Sequence, residues 1–469
     1  MAISKKSGAL RIALVNPPLF TKYPQPPMGL AQIAAVLERE GYYITIVDAN
    51  ALGLKPKQVI SHIADANIVG LTAMTPTINT ATSIAHHLKQ ANPNLTIILG
   101  GAHATLLPEE TLTSAPEIDI IVRGESETTI IELLRALEYK QPLDDIQGIS
   151  YRRNGEIIST VARSATVDLD SLPFPAYHLL PWQKYKPQPP HGRALPLAAI
   201  ITSRGCPYQC AYCSKPIFGS KSRAQSPERV VDEIIYHKRR FGIREFAFYD
   251  DVFTLNKKTA YAIADEIIKR GLKIHWTCET RVNLVDKELL RHIKQSGCYA
   301  IAYGIESASQ EILDALNKDI TLEQVEEAVC LTREVGLQAI GYFMIGSPGE
   351  NPETIVKTIQ LAKKLKLDFA QFSITTPFPG TKLYQLYLDG KRGGISWENF
   401  IYEGTSNRTT PVFESNELSQ ADLRYWVRRA YKEFYLRPSY LWQRIRQVKS
   451  IGDLRVNLEG VSRLLRSII

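Results

Sequence analysis

Apolar residues in the first third of the chain fall in short continuous runs separated by longer amphipathic stretches. The runs at 10–15, 43–47, 68–71, 95–99 and 118–122 are rich in Val, Ile and Leu and too short for helices, so they predict buried strands. Apolar positions at helical spacing over 30–40, 56–65, 76–90 and 126–137 predict helices between them. Thr75 before Pro76 predicts a capped helix start, and Ser126 predicts another. Strict alternation with short loops requires a parallel sheet covered on both faces, a five-stranded doubly wound domain with its ligand at the carboxyl ends of the strands.

The alternation resumes after a gap. Strands are predicted at 197–202, 246–249, 274–280, 299–305, 338–345 and 369–375, with helices at 227–240, 258–270, 287–295, 322–334 and 352–365. Six strand-helix units predict a partial (β/α)6 barrel whose active site lies where strands run into loops. In the gap, 147–161 alternates around Asn154-Gly155 and predicts a hairpin, followed by an extended connector with prolines across 173–196. The expected organisation is a flavodoxin-like α/β domain at 9–145, hairpin and linker at 146–196, barrel at 197–400 and a helical segment at 401–469.

Composition narrows the class. An apolar fraction of 44% and a charged fraction of 22% suit a soluble globular protein. No run approaches the ~20 apolar residues of a membrane span, and 10–15 is too short for a signal-peptide core, so a cytoplasmic location is expected. The formal charge is +8, and eleven Lys or Arg against three acids from Arg424 onward account for all of it. Trp426, Tyr431, Phe434, Tyr435, Tyr440 and Trp442 lie among those cations. Two readings stay open: a helical cap with a solvated basic face, or peripheral contact with an anionic membrane surface. Nucleic acid is not expected, since the rest of the chain has no basic patch.

Six cysteines do not form a disulfide framework, and Cys278, Cys298 and Cys330 fall in apolar strand or helix patterns as core residues. Cys206, Cys210 and Cys213 are different. Their Cys-x3-Cys-x2-Cys spacing suits a cubane iron-sulfur cluster with one iron left open, whereas structural zinc wants a fourth ligand and no second pair exists. The first-domain strand ends carry Asn16-Pro17, Asp48, Thr72 to Thr75, Gly100-Gly101 and Gly124-Glu125, small and hydroxylated residues that let backbone approach a flat ligand. No Gly-x-Gly-x-x-Gly follows the first strand, which argues against a dinucleotide, and Thr72 stands where a receiver domain needs Asp.

The cysteine loop, with Tyr212 in its aromatic slot, resembles the signature of the radical S-adenosylmethionine (SAM) superfamily. That resemblance implies a [4Fe-4S] cluster that binds SAM through its open iron and cleaves it to a 5′-deoxyadenosyl radical. It further implies SAM contacts from Asp250 and Asp251 to the amine, Arg281 to the carboxylate, Glu306 and Ser307 to the ribose, and Gly346 beside the adenine. The first domain, with Pro27-Met28-Gly29-Leu30, is similar to the cobalamin-binding domain ahead of many such barrels. This implies cobalamin contacts from Asn16, Pro17, Gly29, Asp48, Thr72, Thr75, Gly100, Gly101, Gly124 and Glu125. One departure is plain: 16–27 lacks the Asp-x-His-x-x-Gly that supplies a cobalt ligand elsewhere, so no histidine ligand is expected there and His103 is expected in a supporting or surface position.

The expected function is anaerobic methylation of an unactivated carbon in a large apolar substrate, as in lipid biosynthesis, with flavodoxin or ferredoxin as electron donor. Radical cyclisation or rearrangement of a tetrapyrrole or hopanoid is the alternative. A cobalamin sensor or electron carrier is the alternative of another class.

Overall fold

The computed structural model describes residues 10–447 except 20–22, 64, 167, 186–191, 193–194, 391–396, 398–399 and 401–417. The expected segment over 448–469 lies outside the described residues. The chain divides into two compact units, one built from residues up to 186 with 204–206 and 214–229, the other from 187–203, 207–213 and the chain from 230 on.

In the first unit, β1 (Arg11–Asn16), β2 (Tyr43–Asp48), β3 (Ile68–Thr72), β4 (Thr96–Gly100) and β5 (Ile120–Val122) are the five expected strands. They pair in parallel in the order β2-β1-β3-β4-β5. Alternation sends Ile12 and Leu14 to one face, where they meet Ile44, Ile68, Ile98 and Ile120 under the helices Met28–Arg39 and Glu127–Glu138.

The sheet is larger than predicted. The hairpin, β6 (Ile149–Arg153) and β7 (Glu156–Ser159), adds two antiparallel strands beside β5, with Ile120 opposite Tyr151, so it belongs to the sheet and not to a linker. The connector beyond it also docks here: Ala176 N–H donates to Ala31 O at 2.9 Å and Gln32 Nε2 to Pro173 O at 3.1 Å. Local differences have local causes. The stretch at 56–65 is a short 3-10 helix, Pro56–His62, with only Val59 buried. Thr77, not Thr75, closes the turn before the helix Ile78–Ala91, accepting from Met74 N–H at 3.0 Å, and Ser126 holds the N-cap position without a side-chain cap bond.

In the second unit, β8 (Leu197–Ile200), β9 (Glu245–Phe248), β10 (His275–Thr280), β11 (Cys298–Glu306), β12 (Gln338–Ile345) and β13 (Phe369–Ile374) pair in parallel in chain order, as a strand-helix barrel requires. Phe248, Phe253 and Trp276 pack together inside, with ring centroids 4.8–5.4 Å apart.

A partial barrel leaves an open edge, here β13. Three tyrosines from the helices Gln420–Tyr435 and Pro438–Gln447 cover it. Tyr435 Oη accepts from Ala370 N–H at 3.1 Å and donates to Ala370 O at 2.8 Å, Tyr431 Oη accepts from Phe372 N–H at 3.2 Å, and Tyr440 Oη donates to Asp368 O at 3.0 Å. The aromatic run is thus an edge cover that satisfies strand backbone. Phe434 and Trp426 are buried too, and Arg437, Arg429 and Arg444 stack on the rings of Phe434, Trp426 and Phe369. Tyr435→Phe removes the partner of both Ala370 groups and is expected to cost about 1–3 kcal/mol. A urea titration that shows a lower midpoint with an unchanged slope would report it.

Candidate functional site

The cysteine loop has no core of its own and is held by its neighbours. Gly205 turns at φ +90, where a side chain would collide with the backbone of Phe218 and Lys221. Cys206 N–H donates to Gly219 O at 3.2 Å, and Lys215 Nζ donates to Cys206 O at 2.9 Å. In the second unit, Ala211 N–H donates to Leu316 O at 2.8 Å, Leu383 N–H to Ala211 O at 3.1 Å, and Asn317 Nδ2 to Gln209 O at 2.7 Å. Cys213 N–H closes a tight turn onto Cys210 O at 3.1 Å. All three cysteines are thiols outside any disulfide.

Tyr212 hydrogen-bonds inward. Its hydroxyl donates to Glu306 Oε1 at 2.7 Å, and Lys318 Nζ lies 2.7 Å from that oxygen and 2.8 Å from the hydroxyl. Burial, then the Glu306 charge, pushes the phenol well above its ordinary value, so it stays a donor. Glu306 adopts φ +66 where β11 slips register against β12, and a Cβ on the neighbouring Gly304 would strike both the carboxylate and the Lys318 ammonium. A left-handed non-glycine residue costs energy, and the ion pair with Lys318 holds it there.

The other expected SAM contacts fare differently. Asp250 Oδ1 accepts from Thr202 Oγ1 at 2.9 Å and Ser203 Oγ at 2.7 Å, while Oδ2 is buried with no hydrogen-bond partner. Burial pushes this carboxyl up to about 6. Asp251 beside it is exposed. Ser307 is buried and turned to its own segment, accepting from Ser309 N–H at 3.2 Å with Thr358 Oγ1 at 3.4 Å. Gly346 (φ +89) donates its N–H to Glu350 Oε2 at 2.6 Å, and the space a side chain would need is filled by Leu423. Arg281 is 4% exposed and bonded to Cys210 Sγ at 3.6 Å.

At the first sheet's carboxyl ends, Asn16 and Asp48 are register partners, and Asn16 Nδ2 donates to Asp48 Oδ1 at 2.8 Å. Asp48 is fully buried: Ala51 N–H and Tyr185 Oη, at 3.1 and 2.9 Å, complete its partners, so it shapes the strand end from beneath. His103 is buried, not at the surface, its Nδ1 lies 3.2 Å from Thr75 Oγ1, and burial pulls it down to about 4, leaving it neutral at pH 7. Gly101 (φ +97) packs on Ala73 backbone and Thr72, and Gly100 faces Val122 O. Gly29 and Gly124 are open, with nothing within 4 Å of an added Cβ, and Pro17 is buried nearby in sequence to half-buried Asn16. Glu125 turns away into a buried ion network: Arg204 Nη1 contacts its Oε2 at 2.9 Å, Arg223 its Oε1, and Arg204 Nη2 reaches Glu127 Oε1 at 2.7 Å.

Two family models match this chain, the B12 binding domain over residues 21–134 and the radical SAM superfamily over 200–362. An uncharacterised methyltransferase of Pyrococcus horikoshii is 37% identical over 442 residues, covering 92% of this chain and 94% of that one. The chain belongs to the radical SAM superfamily, in its B12-binding branch. The anaerobic magnesium-protoporphyrin IX monomethyl ester cyclase of Rubrivivax gelatinosus is 32% identical, covering 89% of this chain and 75% of the relative. In fold, the radical SAM methyltransferase TsrM from Kitasatospora setae superposes with a TM-score of 0.72 at 18% identity, over 92% of this chain and 90% of that one.

The cofactors of this radical SAM protein are a [4Fe-4S] cluster, SAM and cobalamin. Its residues fit them. Among the described residues no three His, Cys, Asp or Glu side chains are already drawn together as a metal site, so the fit to the cluster rests on the donor set of three thiols in one loop, none in a disulfide, with a guanidinium on Cys210. The unpartnered, buried Asp250 Oδ2 fits an ammonium. Open backbone at Gly29 and Gly124 fits the approach of a flat ring. Lys318, Arg204 and Arg223 are not singled out by the sequence pattern, because a lone Lys or Arg in a loop is most often solvated. Arg204, two residues ahead of Cys206, was the one signal available.

Two measurements test these electrostatics. Glu125→Ala leaves Arg204 and Arg223 buried beside a missing charge, and is expected to cost about 3–5 kcal/mol, read by denaturant unfolding of the full chain. Burial pushes Glu350 up to about 7 from 4.5, with Oε1 buried and unpartnered, so the folded chain retains a proton that the unfolded chain releases. Its contribution is present below 4.5 and lost as pH rises through about 7. Relative to the parent, Glu350→Gln is therefore expected to gain on the order of 2–3 kcal/mol between those pH values, measured as unfolding midpoints across the range.

Proposed function

We propose that this radical SAM protein is a methyltransferase acting on an unactivated carbon of a large, apolar substrate. The observation that carries the reading is the joining, in one chain, of the three-thiol loop and a B12-binding domain along nearly the full length of a methyltransferase relative. Bound to these residues, the cluster with SAM supplies a hydrogen-abstracting radical, and cobalamin supplies a methyl carrier. The chain's own part is positioning: Asp250 Oδ2 offers a desolvated acceptor to the SAM ammonium, while Tyr212, Glu306 and Lys318 lock the loop.

The second reading is radical cyclisation without methylation, supported by the cyclase of Rubrivivax gelatinosus at 32% identity. A tetrapyrrole substrate in that relative also supports a bulky one here. The electron donor in this reading is a flavodoxin or ferredoxin. Support for peripheral membrane contact narrows to Tyr425 and Trp442, both more than half exposed on the outer side of the edge cover.

Anaerobic reconstitution with iron, sulfide and hydroxocobalamin, followed by dithionite and SAM, is expected to release 5′-deoxyadenosine. Cys210→Ala is expected to lose the cluster and that release together while still binding cobalamin. A loaded cluster with no 5′-deoxyadenosine, or a chain that takes up no cobalamin, would overturn the proposal. Product mass from a substrate extract then separates one added methyl from a loss of hydrogens alone.

A further inference from the structure

Arg281 is placed where the SAM carboxylate would be expected to find a cation, yet its donors are already committed. Nε donates to Asn283 Oδ1 at 3.3 Å. Nη2 donates to Lys318 O and to Asp319 O, the latter at 3.1 Å. Nη1 donates to Cys210 Sγ at 3.6 Å. Of the five N–H groups on a guanidinium, four are therefore spent and a two-pronged grip on a carboxylate is no longer available. The ring of Tyr208 covers one face at 3.7 Å, and the residue is 4% exposed.

The surroundings are built for this orientation. Asn317 and Asp319 adopt left-handed backbone, φ 50 and 55, on either side of Lys318, and the carbonyls of 318 and 319 meet the guanidinium. The same turn grips the loop a second time, through Asn317 on Gln209 O, and a third time through Lys318 on Tyr212. One short turn thus holds Arg281 by its carbonyls and the cysteine loop by its side chains.

We propose that Arg281 is a positioning residue for the cluster, serving the Cys210 sulfur with charge and a hydrogen bond, and not the ligand of the SAM carboxylate. The proposal rests on the cluster assignment of the cysteine loop. A thiolate bound to iron gains negative charge when the cluster takes up an electron. A buried cation on that sulfur therefore stabilises the reduced state more than the oxidised one, and raises the reduction potential. A SAM-binding arginine would leave the potential of the SAM-free cluster alone.

The test is a dithionite titration of the reconstituted full chain without SAM, followed by the electron paramagnetic resonance signal of the reduced cluster, at matched iron content. Arg281→Gln is expected to make reduction at least tenfold less favourable, about 59 mV lower for one electron. Arg281→Lys, which keeps the charge but loses the fork, is expected to recover part of that shift. A potential in Arg281→Gln that is unchanged or higher overturns the proposal, and weaker SAM binding alongside it would return Arg281 to the carboxylate. Should Arg281→Gln hold no iron, recovery of iron in Arg281→Lys supports the proposal. Absence of iron from both variants makes Arg281 a folding residue only and overturns it. Because SAM and substrate are left out, failure here leaves the proposed methyl transfer standing.

Discussion

Three thiols within eight residues cannot be fixed by the segment that carries them. Such a loop is too short to bury a core, and like charges on its thiolates oppose their approach once deprotonated. The rest of the protein supplies what the loop lacks. Backbone of Ala211 is bonded on both sides, to Leu316 and Leu383. The side chain of Tyr212 is tied to Glu306 and Lys318, Cys210 to Arg281, and Arg204 to Glu125 and Glu127. Most of these partners come from sequence-distant elements, so the loop has its shape only when the strands have found their order. That ties the chemistry to the fold, because parallel strands in chain order deliver their ends, and hence Asp250, Arg281 and Glu306, on one side of the sheet.

Strands were the legible part. Most of the eleven parallel strands described read as apolar runs because central strands are covered on both faces, as Ile120–Val122 and Glu245–Phe248 are, and a doubly covered strand has no polar face to blur its limits. The hairpin was legible as a hairpin but not as part of the sheet. Ile149 and Tyr151 carry an inward face that only pairing with β5 uses, and pairing partners do not show in a local pattern. The tyrosines at 431, 435 and 440 were harder still. Their spacing is that of an amphipathic helix, and nothing local distinguishes a ring facing lipid from a hydroxyl bonded to the backbone of a strand 59 to 72 residues away. Part of the basic excess belongs to the same edge cover, since Arg429, Arg437 and Arg444 stack on aromatic rings of this same chain.

For the site, residue type located the chemistry but not the direction in which each group points. Tyr212 is bonded inward to Glu306 and Lys318, and Asp250 keeps one buried oxygen unengaged. Asp48, Glu125 and Ser307 are in their expected positions along the chain, but they face inward to Tyr185, to Arg204 and Arg223, and to Thr358. A carboxylate at a strand end offers the same letters whether it greets a ligand or braces the strand. Burial with every oxygen engaged marks the brace, as in Asp48, whereas Asp250 is buried with one oxygen unengaged.

That distinction explains how the energetic cost is distributed. Burying a charge without a partner is expensive, so the paired groups, Glu125 and Glu127 with Arg204 and Arg223, and Glu306 with Lys318, are arranged to cancel locally. Asp250 and Glu350 are not cancelled, and burial holds both carboxyls above their usual range. Within the barrel, the uncompensated acids sit after β9 and β12, at the strand ends, while the compensated pair at Glu306 holds a backbone in left-handed geometry that it would otherwise leave. An unpaired buried acid persists only where something outside the apoprotein relieves it or where the fold is stable enough to bear the loss. For Asp250, beside the end of the strand that leads into the cysteine loop, a cation brought to the unengaged oxygen would relieve that cost directly.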